Sequence, residues 1–496
     1  MKLLLVQPAP FEHGRMGLEN ALWLSEPVAL TSIAAMVKGR HEVRILDMRL
    51  EEDGVLARVL ADFRPDVVGA SCMTTDAYQA QAVCYAAKSI LGDAVFTIVG
   101  GHHPTLAPEA HDIAAIDAVC IGEGEETFAE LCDHLAAGGS RDDLGAIAGL
   151  AWRAASPTGT QQRRNPNRSQ ARSLDTFPLP ARELISSYLG RYFFAAATPL
   201  ASIQTSRGCA YDCNFCAIWE FYERKVRFLS AAAIVDRMEA VAEKFIFFLD
   251  DNFLSHRGRI EEFLAELERR KPGKFWMIQG RTDFIAQHPD LMKRMRDAGL
   301  CMVLSGYETN DEGTLAALKK DNLRENNLKA AALLRKLGIW TTGIFMTRPD
   351  FEAKDFEAMW AAIREMKISI PLVVIHTPLP GTQGWRAERH TLLTEDARFF
   401  DLLHAVQRTR LPREEFYRQY ARWNQATMGS SRESLPLLFK RPRLTAALLK
   451  GVPTFVERLK SLRRVIEDPQ SYLRDEADVI PREAGGARRE EEIAAA

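Results

Sequence analysis

The sequence has 496 residues, of which 47% are hydrophobic and 26% are charged, so it can bury the cores of roughly three domains. The formal net charge of -2 gives no general reason to expect a nucleic acid as partner. The apolar start at Met1–Pro8 is too short for a signal peptide, and no run of about eighteen apolar residues could cross a bilayer, so we expect a cytoplasmic protein.

Residues 2–137 alternate short β-rich runs with helix-length segments. The predicted strands are Leu3–Gln7, Glu42–Asp47, Asp66–Ser71, Val95–Val99 and Ala118–Ile121. The predicted helices cover 27–38, 54–62, 76–91, 106–114 and 125–136. This alternation predicts a first domain at 1–137 that is a doubly wound, Rossmann-like parallel sheet, whose ligands bind beyond the C-terminal ends of the strands.

Polar residues and glycines stand at these strand ends. They are Asp47, Ser71, Thr74, Gly100, Gly101, His102, Gly122 and Glu123. Glycine at such an edge lets a bulky ligand approach the backbone closely. The same glycines are also ordinary features of the loops between strands and helices, so the residues alone leave both interpretations open.

Residues 138–198 are rich in turn-forming and polar residues and predict a connector. A short strand pair is predicted at 148–153 and 161–164. The proline-containing run Phe177–Arg182 is predicted to be stiff and to hold one domain over the next.

Cys209, Cys213 and Cys216 follow the next predicted strand with the spacing C-x3-C-x2-C. Three thiolates on one loop can hold three irons of a 4Fe-4S cluster and leave the fourth iron without a protein ligand. A structural zinc site normally has four ligands in two pairs, and a disulfide framework has an even number of cysteines in a small secreted chain, so neither fits well. The remaining cysteines are expected to be buried apolar side chains: Cys72, Cys84, Cys120, Cys132 and Cys301.

This spacing, with Phe215 directly before Cys216, resembles the radical S-adenosylmethionine (SAM) enzymes. In that superfamily SAM chelates the fourth iron, and the aromatic residue at the position of Phe215 lies near the adenine. The resemblance implies that the three cysteines are cluster ligands and that Phe215 contacts SAM.

A second βα series occupies 199–384. Its predicted strands are Leu200–Thr205, Phe245–Leu249, Phe275–Gln279, Met302–Gly306, Thr341–Phe345 and Leu372–His376. Helices are predicted between them, at 231–243, 257–270, 289–298, 324–337 and 353–367. Six βα units with the cysteine loop after the first strand match the partial (β/α)6 barrel of radical SAM enzymes, in which C-terminal strand ends are functional.

Polar residues at these strand ends are candidates for binding SAM. They are Asp250, Asp251, Asn252, Gln279, Arg281, Ser305, Glu308 and Arg348. Each could instead be a loop residue satisfied by its neighbours. Beyond the cluster ligands the catalytic residues are unknown, and Tyr307 is the one candidate.

The run Ile98–Thr105, followed by Gly122–Glu125, resembles the N-terminal cobalamin-binding domain of one large radical SAM subfamily. The resemblance implies that the strand-end residues of the first domain bind cobalamin, together with Arg49. Methionine-synthase-like cobalamin domains carry D-x-H-x-x-G, and in this chain Arg49 and Glu52 replace its histidine and glycine. Cobalt ligation by a histidine of this motif is therefore not expected.

Residues 385–480 predict a helical C-terminal region, followed by a disordered tail at 481–496. Within 440–464 basic residues interleave with apolar ones. The basic residues are Lys440, Arg441, Arg443, Lys450, Arg458, Lys460, Arg463 and Arg464, against one acid, Glu457. Such a segment can lie on an anionic membrane surface, or it can pack on the barrel with a solvated basic face.

A cluster and cobalamin in one chain imply methyl transfer to an unactivated carbon. By resemblance, one SAM supplies the methyl group through cobalamin and a second supplies a radical, with an external electron donor of the flavodoxin or ferredoxin type. Several segments resemble the hopanoid C-3 methylases: Ile218–Arg224, Phe275–Phe284, Leu304–Asn310 and Thr409–Glu414. This implies an apolar triterpenoid substrate and peripheral association with the inner face of the membrane.

Other functions share parts of this pattern. An anaerobic tetrapyrrole cyclase has both domains but adds oxygen, and other natural-product C-methylases differ only in substrate. A transfer-RNA methylthiotransferase would need a further cluster, whereas the N-terminal cysteines lack cluster spacing. A cobalamin sensor would have no use for an iron with an open position.

Overall fold

The computed structural model describes residues 1–9, 22–156, 159–428, 435–466, 468–477 and 479–480. Two sheets follow one another along the chain and a helical region completes it, which confirms the predicted α/β fold class. Within these residues no helix is both long and apolar enough to cross a membrane. The tail predicted at 481–496 lies outside the described residues.

Strands and helices alternate through most of the chain. The strands are β1 (Lys2–Gln7), β2 (Trp23–Leu24), β3 (Glu42–Asp47), β4 (Val67–Ser71), β5 (Phe96–Gly100), β6 (Ala118–Cys120), β7 (Leu150–Ser156), β8 (Gly159–Arg164), β9 (Phe193–Phe194), β10 (Leu200–Ile203), β11 (Ser206–Arg207), β12 (Arg227–Phe228), β13 (Phe245–Phe248), β14 (Phe275–Gln279), β15 (Leu300–Glu308), β16 (Trp340–Thr347) and β17 (Ile370–Ile375). The helices are α1 (Val28–Val37), α2 (Val55–Phe63), α3 (Ala77–Leu91), α4 (His102–Leu106), α5 (Gly124–Ala136), α6 (Ile218–Phe221), α7 (Ala231–Ala240), α8 (Arg257–Arg270), α9 (Thr282–Gln287), α10 (Pro289–Asp297), α11 (Glu312–Ala317), α12 (Arg324–Leu337), α13 (Ala353–Met366), α14 (Gln383–Glu388), α15 (Arg413–Met428), α16 (Leu435–Lys440), α17 (Pro442–Leu448), α18 (Val452–Ile466) and α19 (Pro469–Glu476).

The first sheet has the strand order β3-β1-β4-β5-β6-β7-β8. Its first five strands are parallel, and the central strand β1 buries Leu3, Leu4, Leu5 and Val6 in succession. A run buried on both faces is typical of a parallel strand that is covered by helices on both sides. The predicted doubly wound sheet is confirmed.

Two predicted details of this region differ from the structure. The strand pair predicted at 148–153 and 161–164 is present as the hairpin β7–β8. The difference is that β7 pairs antiparallel with β6, so the hairpin extends the first sheet instead of forming part of a separate connector. This pairing covers the edge that the short strand β6 would otherwise expose. The helix predicted at 106–114 is instead α4 and a 3-10 turn at Pro108–His111, because Pro108 has no N–H to continue α4.

The second sheet has the order β10-β13-β14-β15-β16-β17 and all its pairs are parallel. It confirms the predicted partial barrel of six βα units. The cysteine loop follows β10 and β11, at the C-terminal edge of this sheet.

The last two barrel strands have distinct inner and outer faces. On the outer face, Phe345 and Val373 pack with Phe356 and Met359 of α13. The opposite face carries Ile344, Met346, Leu372 and Val374, which are paired as Ile344 with Leu372 and Met346 with Val374. Because side chains alternate across a strand, these four apolar residues point into the barrel.

The two domains share apolar contacts. A single hydrophobic cluster includes Leu5 and Ile98 of the first sheet and Phe247 and Met302 of the barrel. Separating the domains would expose part of this cluster to water, so burial of apolar surface contributes to holding them together.

The C-terminal region has a buried polar cluster between α15 and α19. His404 is fully buried, and its Nδ1 lies 2.8 Å from Asp401 and its Nε2 3.5 Å from Asp475. Burial alone would lower the pKa of His404, but the facing carboxylates raise it from 6.5 to about 9. His404 is therefore a buried imidazolium at neutral pH.

We expect the imidazolium of His404 to stabilise the C-terminal region in a pH-dependent way. A pKa raised by folding contributes stability that is present in full below pH 6.5 and is lost as the pH rises through about 9. The midpoint of thermal unfolding should fall across this window, and the fall should be smaller in His404→Gln. An identical pH dependence in the variant would contradict the assignment.

Candidate active site

The cysteine loop is held in place by contacts from several elements. Gly208 has φ +92°, and a Cβ at this position would lie 2.0 Å from the carbonyl oxygen of Lys225. Its N–H donates to Asp251 at 2.9 Å, and the indole of Trp219 donates to the carbonyl of Cys213 at 2.9 Å. Glycine is thus required at the start of the loop, and the loop conformation does not depend on the cysteines alone.

The three cysteines are placed together on this loop. Cys213 is buried, whereas Cys209 and Cys216 are half-buried. Burial raises the pKa of each thiol, that of Cys216 to about 12, and the charges of Lys320 and Arg281 act in the opposite direction on Cys213. Iron binding must therefore displace the thiol protons.

The donor set fits a 4Fe-4S cluster better than a single ion. In the described part of the chain, no three His, Cys, Asp or Glu side chains are gathered so that they could hold one metal ion. In a cluster each thiolate binds a different iron, so its ligands stand further apart than those of one ion. Three thiols on a preformed loop are consistent with that arrangement.

Asp250 supports the cysteine loop from below. It is fully buried and accepts hydrogen bonds from the N–H groups of Thr205 at 2.6 Å and Ser206 at 2.9 Å. Its second oxygen accepts from the hydroxyl of Thr205 and lies 3.4 Å from Arg259. These contacts give Asp250 a positioning role, and a contact with SAM would have to displace one of them.

Asn252 shows a different pattern. Its side chain is buried, and neither amide atom has a hydrogen-bond partner in the described structure. Buried amides are nearly always paired, so this position fits a ligand that carries both donors and acceptors. The predicted contact between Asn252 and SAM is consistent with this geometry and stays a prediction.

Lys320 contributes to the site and was not predicted from the sequence. Its ammonium lies 2.9 Å from Glu308 and 6.0 Å from the ring centre of Phe215, the residue between Asn214 and Cys216. Glu308 has φ +56°, a conformation that is strained for a residue other than glycine and is frequent at functional sites. No local pattern in the sequence marks Lys320.

Arg281 and Ser305 also lie at this edge of the barrel. The guanidinium of Arg281 stacks over Tyr211 of the cysteine loop at 3.6 Å and donates to the carbonyls of Lys320 and Asp321. The hydroxyl of Ser305 donates to the carbonyl of Gly280 at 2.6 Å. Gln279 is half-buried at the end of β14. Arg281 therefore supports the loop directly.

Two predicted residues lie elsewhere. Arg348 pairs with Asp350 and lines a separate cavity of about 820 Å³ with Thr309 and Asp311, so the structure does not bring it to the cysteine loop. Tyr307, the candidate catalytic residue, is also placed away from the cysteine loop. Its ring stacks on Phe345 in the core behind the barrel, on the side of α13, and is fully buried there.

A cavity of about 440 Å³ lies between the C-terminal edge of the first sheet and the barrel. Most of the predicted cobalamin-binding residues line it: Arg49, Ser71, Gly100, Gly101, His102, Gly122 and Glu123. Asp47 and Thr74 do not line it. From the barrel side, Gln204, Tyr222 and Asp251 complete the wall.

The wall of this cavity fits a bulky cofactor. Gly101 has φ +108°, and a Cβ there would lie 2.6 Å from the carbonyl of Cys72, so the cavity floor is bare backbone. His102 packs on Phe221 at 4.5 Å, and its Nε2 is buried without a partner in the described residues. Burial lowers the pKa of His102 to about 4, so the ring is neutral. Cobalamin, with its many amides, is suited to such a wall.

Arg49 is held rigidly at the cavity wall. Its guanidinium donates to both oxygens of Asp47, at 2.8 and 2.7 Å, and to the carbonyl of Ser25 at 2.9 Å. Asp47 also accepts from the hydroxyl of Tyr192 at 3.0 Å. Asp47 therefore positions the side chain of Arg49. The guanidinium of Arg49 has no free lone pair, so it cannot act as a ligand of cobalt.

A buried ion cluster joins the two domains beside this cavity. Arg207 lies 2.8 Å from Glu123 and 2.5 Å from Glu125, and Arg227 lies 2.6 Å from Glu123. Burial alone would raise the pKa of Glu123, but the two arginines hold it below its usual value. The carboxylate of Glu123, predicted to bind cobalamin, is occupied by arginines, although the residue lines the cavity.

Asp251 connects the cavity to the cysteine loop. It lines the cavity and accepts from the N–H of Gly208, directly before Cys209. Burial raises the pKa of Asp251 to about 6. Residues that flank the cysteines and residues that follow the strands of the first sheet therefore border one space, which is suited to chemistry between two cofactors.

Comparison with known proteins agrees with this geometry. A model of the B12 binding domain matches residues 17–132, and a model of the Radical SAM superfamily matches residues 203–367. The hopanoid C-3 methylase of Methylococcus capsulatus is 30% identical over 493 residues, covering 96% of this chain and 89% of that protein. The anaerobic magnesium-protoporphyrin IX monomethyl ester cyclase of Rubrivivax gelatinosus is 28% identical, covering 77% and 68%.

A solved structure shares the fold. It is that of the radical S-adenosylmethionine methyltransferase TsrM from Kitasatospora setae with cobalamin and a 4Fe-4S cluster bound. The TM-score is 0.62 at 19% sequence identity, and the overlay covers 79% of this chain and 78% of that chain.

Replacing Cys213 with serine should abolish the iron–sulfur absorption and lower the bound iron after anaerobic reconstitution. Cobalamin absorption should persist, because its cavity is lined from other elements. The matched control is Cys301→Ser, since Cys301 is buried in the barrel and donates to the carbonyl of Trp276 at 3.3 Å, a bond that serine can keep. Normal cluster content in the Cys213 variant would contradict the assignment.

Replacing Glu123 with glutamine should destabilise the protein by about 3 kcal/mol, because it leaves Arg227 buried without its carboxylate. The midpoint of thermal unfolding measures this. Glu126→Gln is the control, since Glu126 lies in the first turn of α5, which begins directly after Glu123, is exposed and lies 3.7 Å from Arg168. Equal midpoints for the two variants would show that the ion cluster is not needed.

Proposed function

The chain belongs to the cobalamin-binding radical SAM methyltransferases, which use a 4Fe-4S cluster, SAM and cobalamin, and we propose that it methylates an unactivated carbon of a hopanoid or a related apolar isoprenoid lipid. The observation that carries the proposal is the apolar inner face of the barrel. Ile344, Met346 and Val374 pack against Phe215 of the cysteine loop, so an apolar wall begins directly beside the cluster ligands. An apolar ligand needs an apolar lining of this kind.

The likeness to the hopanoid C-3 methylase supports the same substrate class, since it extends over nearly all of the chain. When bound, the cluster and SAM supply a 5′-deoxyadenosyl radical and cobalamin carries the methyl group. The chain's own residues position these groups: Arg281 and Lys320 hold the cysteine loop, and Gly101 leaves the cavity floor open. Reduction of the cluster requires an external one-electron donor of the flavodoxin or ferredoxin type.

The expected residues for SAM are those nearest the loop. We assign Asn252 and Glu308 to this role because the amide of Asn252 lacks a partner and the carboxylate of Glu308 lies beside Lys320 and Phe215. Arg348 is not assigned to SAM. A substrate that resides in bilayers also requires the protein to reach the inner membrane face.

Oxidative cyclisation of a tetrapyrrole is the second candidate, because the cyclase of Rubrivivax gelatinosus matches 77% of this chain. Cyclisation of that kind would add oxygen to the product, whereas methylation adds one methylene. The two functions are therefore distinguished by the mass of the product.

The test is anaerobic incubation of the reconstituted protein with a strong reductant, hopanoids and SAM that carries a deuterated methyl group. We expect 5′-deoxyadenosine and a hopanoid that carries the labelled methyl group, and neither from Cys213→Ser. Failure to form 5′-deoxyadenosine would overturn the radical function. A parallel incubation with a tetrapyrrole in place of hopanoids tests the second candidate, and an oxygen-bearing product there, with no methylated hopanoid, would select the cyclase.

A further inference from the structure

Residues 436–460, which we call the basal segment, expose large apolar side chains. Of the eleven large hydrophobic residues that are exposed in the described part of the chain, four lie in this segment. They are Phe439 at 85% exposure, Leu449 at 62%, Val452 at 40% and Val456 at 40%. Single exposed apolar residues need no explanation, but a concentration of them marks an interaction surface.

Three of these residues form one stripe. Leu449, Val452 and Val456 are separated by three and four residues, and the chain runs helically from Leu449 through α18. Side chains with this spacing lie on the same face of a helix. Lys460, four residues after Val456, lies at the end of the stripe, and its ammonium pairs with the exposed Glu457 at 2.7 Å.

The exposed charges of the basal segment are mostly positive. Lys440, Arg443, Lys450 and Lys460 are exposed, against the single acid Glu457. The whole chain has a net charge of -2, so the excess is local. An apolar stripe flanked by lysines and arginines is complementary to an anionic lipid surface.

Packing on the barrel explains part of the segment but not this face. Lys440 donates to the carbonyl of Arg335 at 2.7 Å, and Arg441 donates to the carbonyls of Leu300 and Arg296, at the N-terminal side of the barrel strands. These bonds anchor the segment. They leave Arg443, Lys450 and the apolar stripe directed to solvent.

The inner side of α18 reaches the barrel interior. Phe455 and Leu459 pack with Leu372 and Ile344, whose faces point into the barrel. Ile344 in turn packs in the cluster that includes Phe215 of the cysteine loop. One helix therefore separates the exposed stripe from the apolar wall that leads to the cluster ligands.

We propose that the basal segment docks the protein on an anionic lipid bilayer, with Phe439, Leu449, Val452 and Val456 inserted and Arg443, Lys450 and Lys460 at the headgroups. A second part of the proposal rests on the proposed function: a lipid substrate enters the barrel from the bilayer along the apolar side chains of Phe455 and Leu459. The docking itself requires no cofactor.

The test is co-sedimentation of the full-length protein with vesicles of phosphatidylglycerol and phosphatidylcholine, compared with phosphatidylcholine alone. We expect binding to the anionic vesicles that weakens with salt, and little binding to the neutral ones. The triple variant Arg443→Gln, Lys450→Gln, Lys460→Gln should bind roughly a hundred-fold more weakly. Leu449→Ser with Val456→Ser should also weaken binding, with unchanged salt dependence.

A matched control removes three exposed lysines elsewhere: Lys293→Gln, Lys329→Gln and Lys354→Gln. It should bind as the unaltered protein does. Cobalamin absorption and the thermal midpoint report folding of each variant. Absence of binding to anionic vesicles at low salt, or equal loss in the control, would overturn the proposal.

Activity separates this proposal from the proposed function. With hopanoid in vesicles, the triple variant should lose methylation, and with hopanoid in neutral detergent micelles it should keep it. If the unaltered protein binds vesicles but methylates no hopanoid in either form, the docking surface stands and the substrate assignment fails. If micellar hopanoid is methylated and the vesicles are not bound, the substrate assignment stands and the docking proposal fails.

Discussion

The buried ion cluster around Arg207 fixes the relation between the two halves of the site. Arg207 stands directly before Gly208 and the cysteine loop, while Glu123 and Glu125 follow β6 of the first sheet. Taking these charges out of water costs several kcal/mol for each ion, and only complete pairing offsets that cost. Two arginines and two glutamates provide it when the domains are in contact. Charge pairing therefore helps to set the separation between the interdomain cavity and the cysteine loop, which suits a reaction that requires accurate placement of several groups.

Polarity changes along the barrel, from a charged C-terminal edge to an apolar interior. The C-terminal edge carries the charged residues Arg281, Glu308 and Lys320 around the cysteine loop. Below it, the inner face of β16 and β17 presents the apolar side chains of Met346, Val374, Ile344 and Leu372. The proposed radical chemistry needs no general base or charge stabilisation at the substrate carbon, so an apolar wall beside the charged edge is compatible with it.

Local patterns in the sequence were sufficient for the secondary structure and the family, and the assignment of the three cysteines as cluster ligands stays a prediction. The alternation of strands and helices predicted both sheets, and the cysteine spacing predicted the loop because its meaning depends only on nearby residues. Contacts between distant residues were not predictable in this way. Glu123 was assigned to cobalamin from the family resemblance, and its ion pairs were missed because Arg207 and Arg227 lie about a hundred residues further along the chain, beyond any periodicity.

The placement of Tyr307 was missed for a different reason. Tyr307 shares the strand parity of Val303, which packs among the outer helices, whereas Met302 on the alternate parity lies in the cluster shared with the first domain. The predicted strand ended at Gly306, and the register shifts between Gly306 and Glu308, so the period of two could not be extended to Tyr307 from the sequence. Lys320 had no such signal, because it follows the short helix α11 and reaches Glu308 only in the folded chain.

A partial barrel leaves an opening between its first and last strands, and the way this chain closes the opening connects the fold to the proposed docking. α18 packs through Phe455 and Leu459 on the side of β17, and Arg458 stacks over Phe193 beside β10 at 3.2 Å. This amphipathic helix therefore covers the opening together with Leu22 and Trp23. A helix held mainly by a few apolar contacts separates from its neighbours more easily than a hydrogen-bonded strand would. Because a helix covers the opening where further strands would close a full barrel, the apolar interior can become accessible from a bilayer. The charged residues Arg281, Glu308 and Lys320 at the C-terminal edge stay in place.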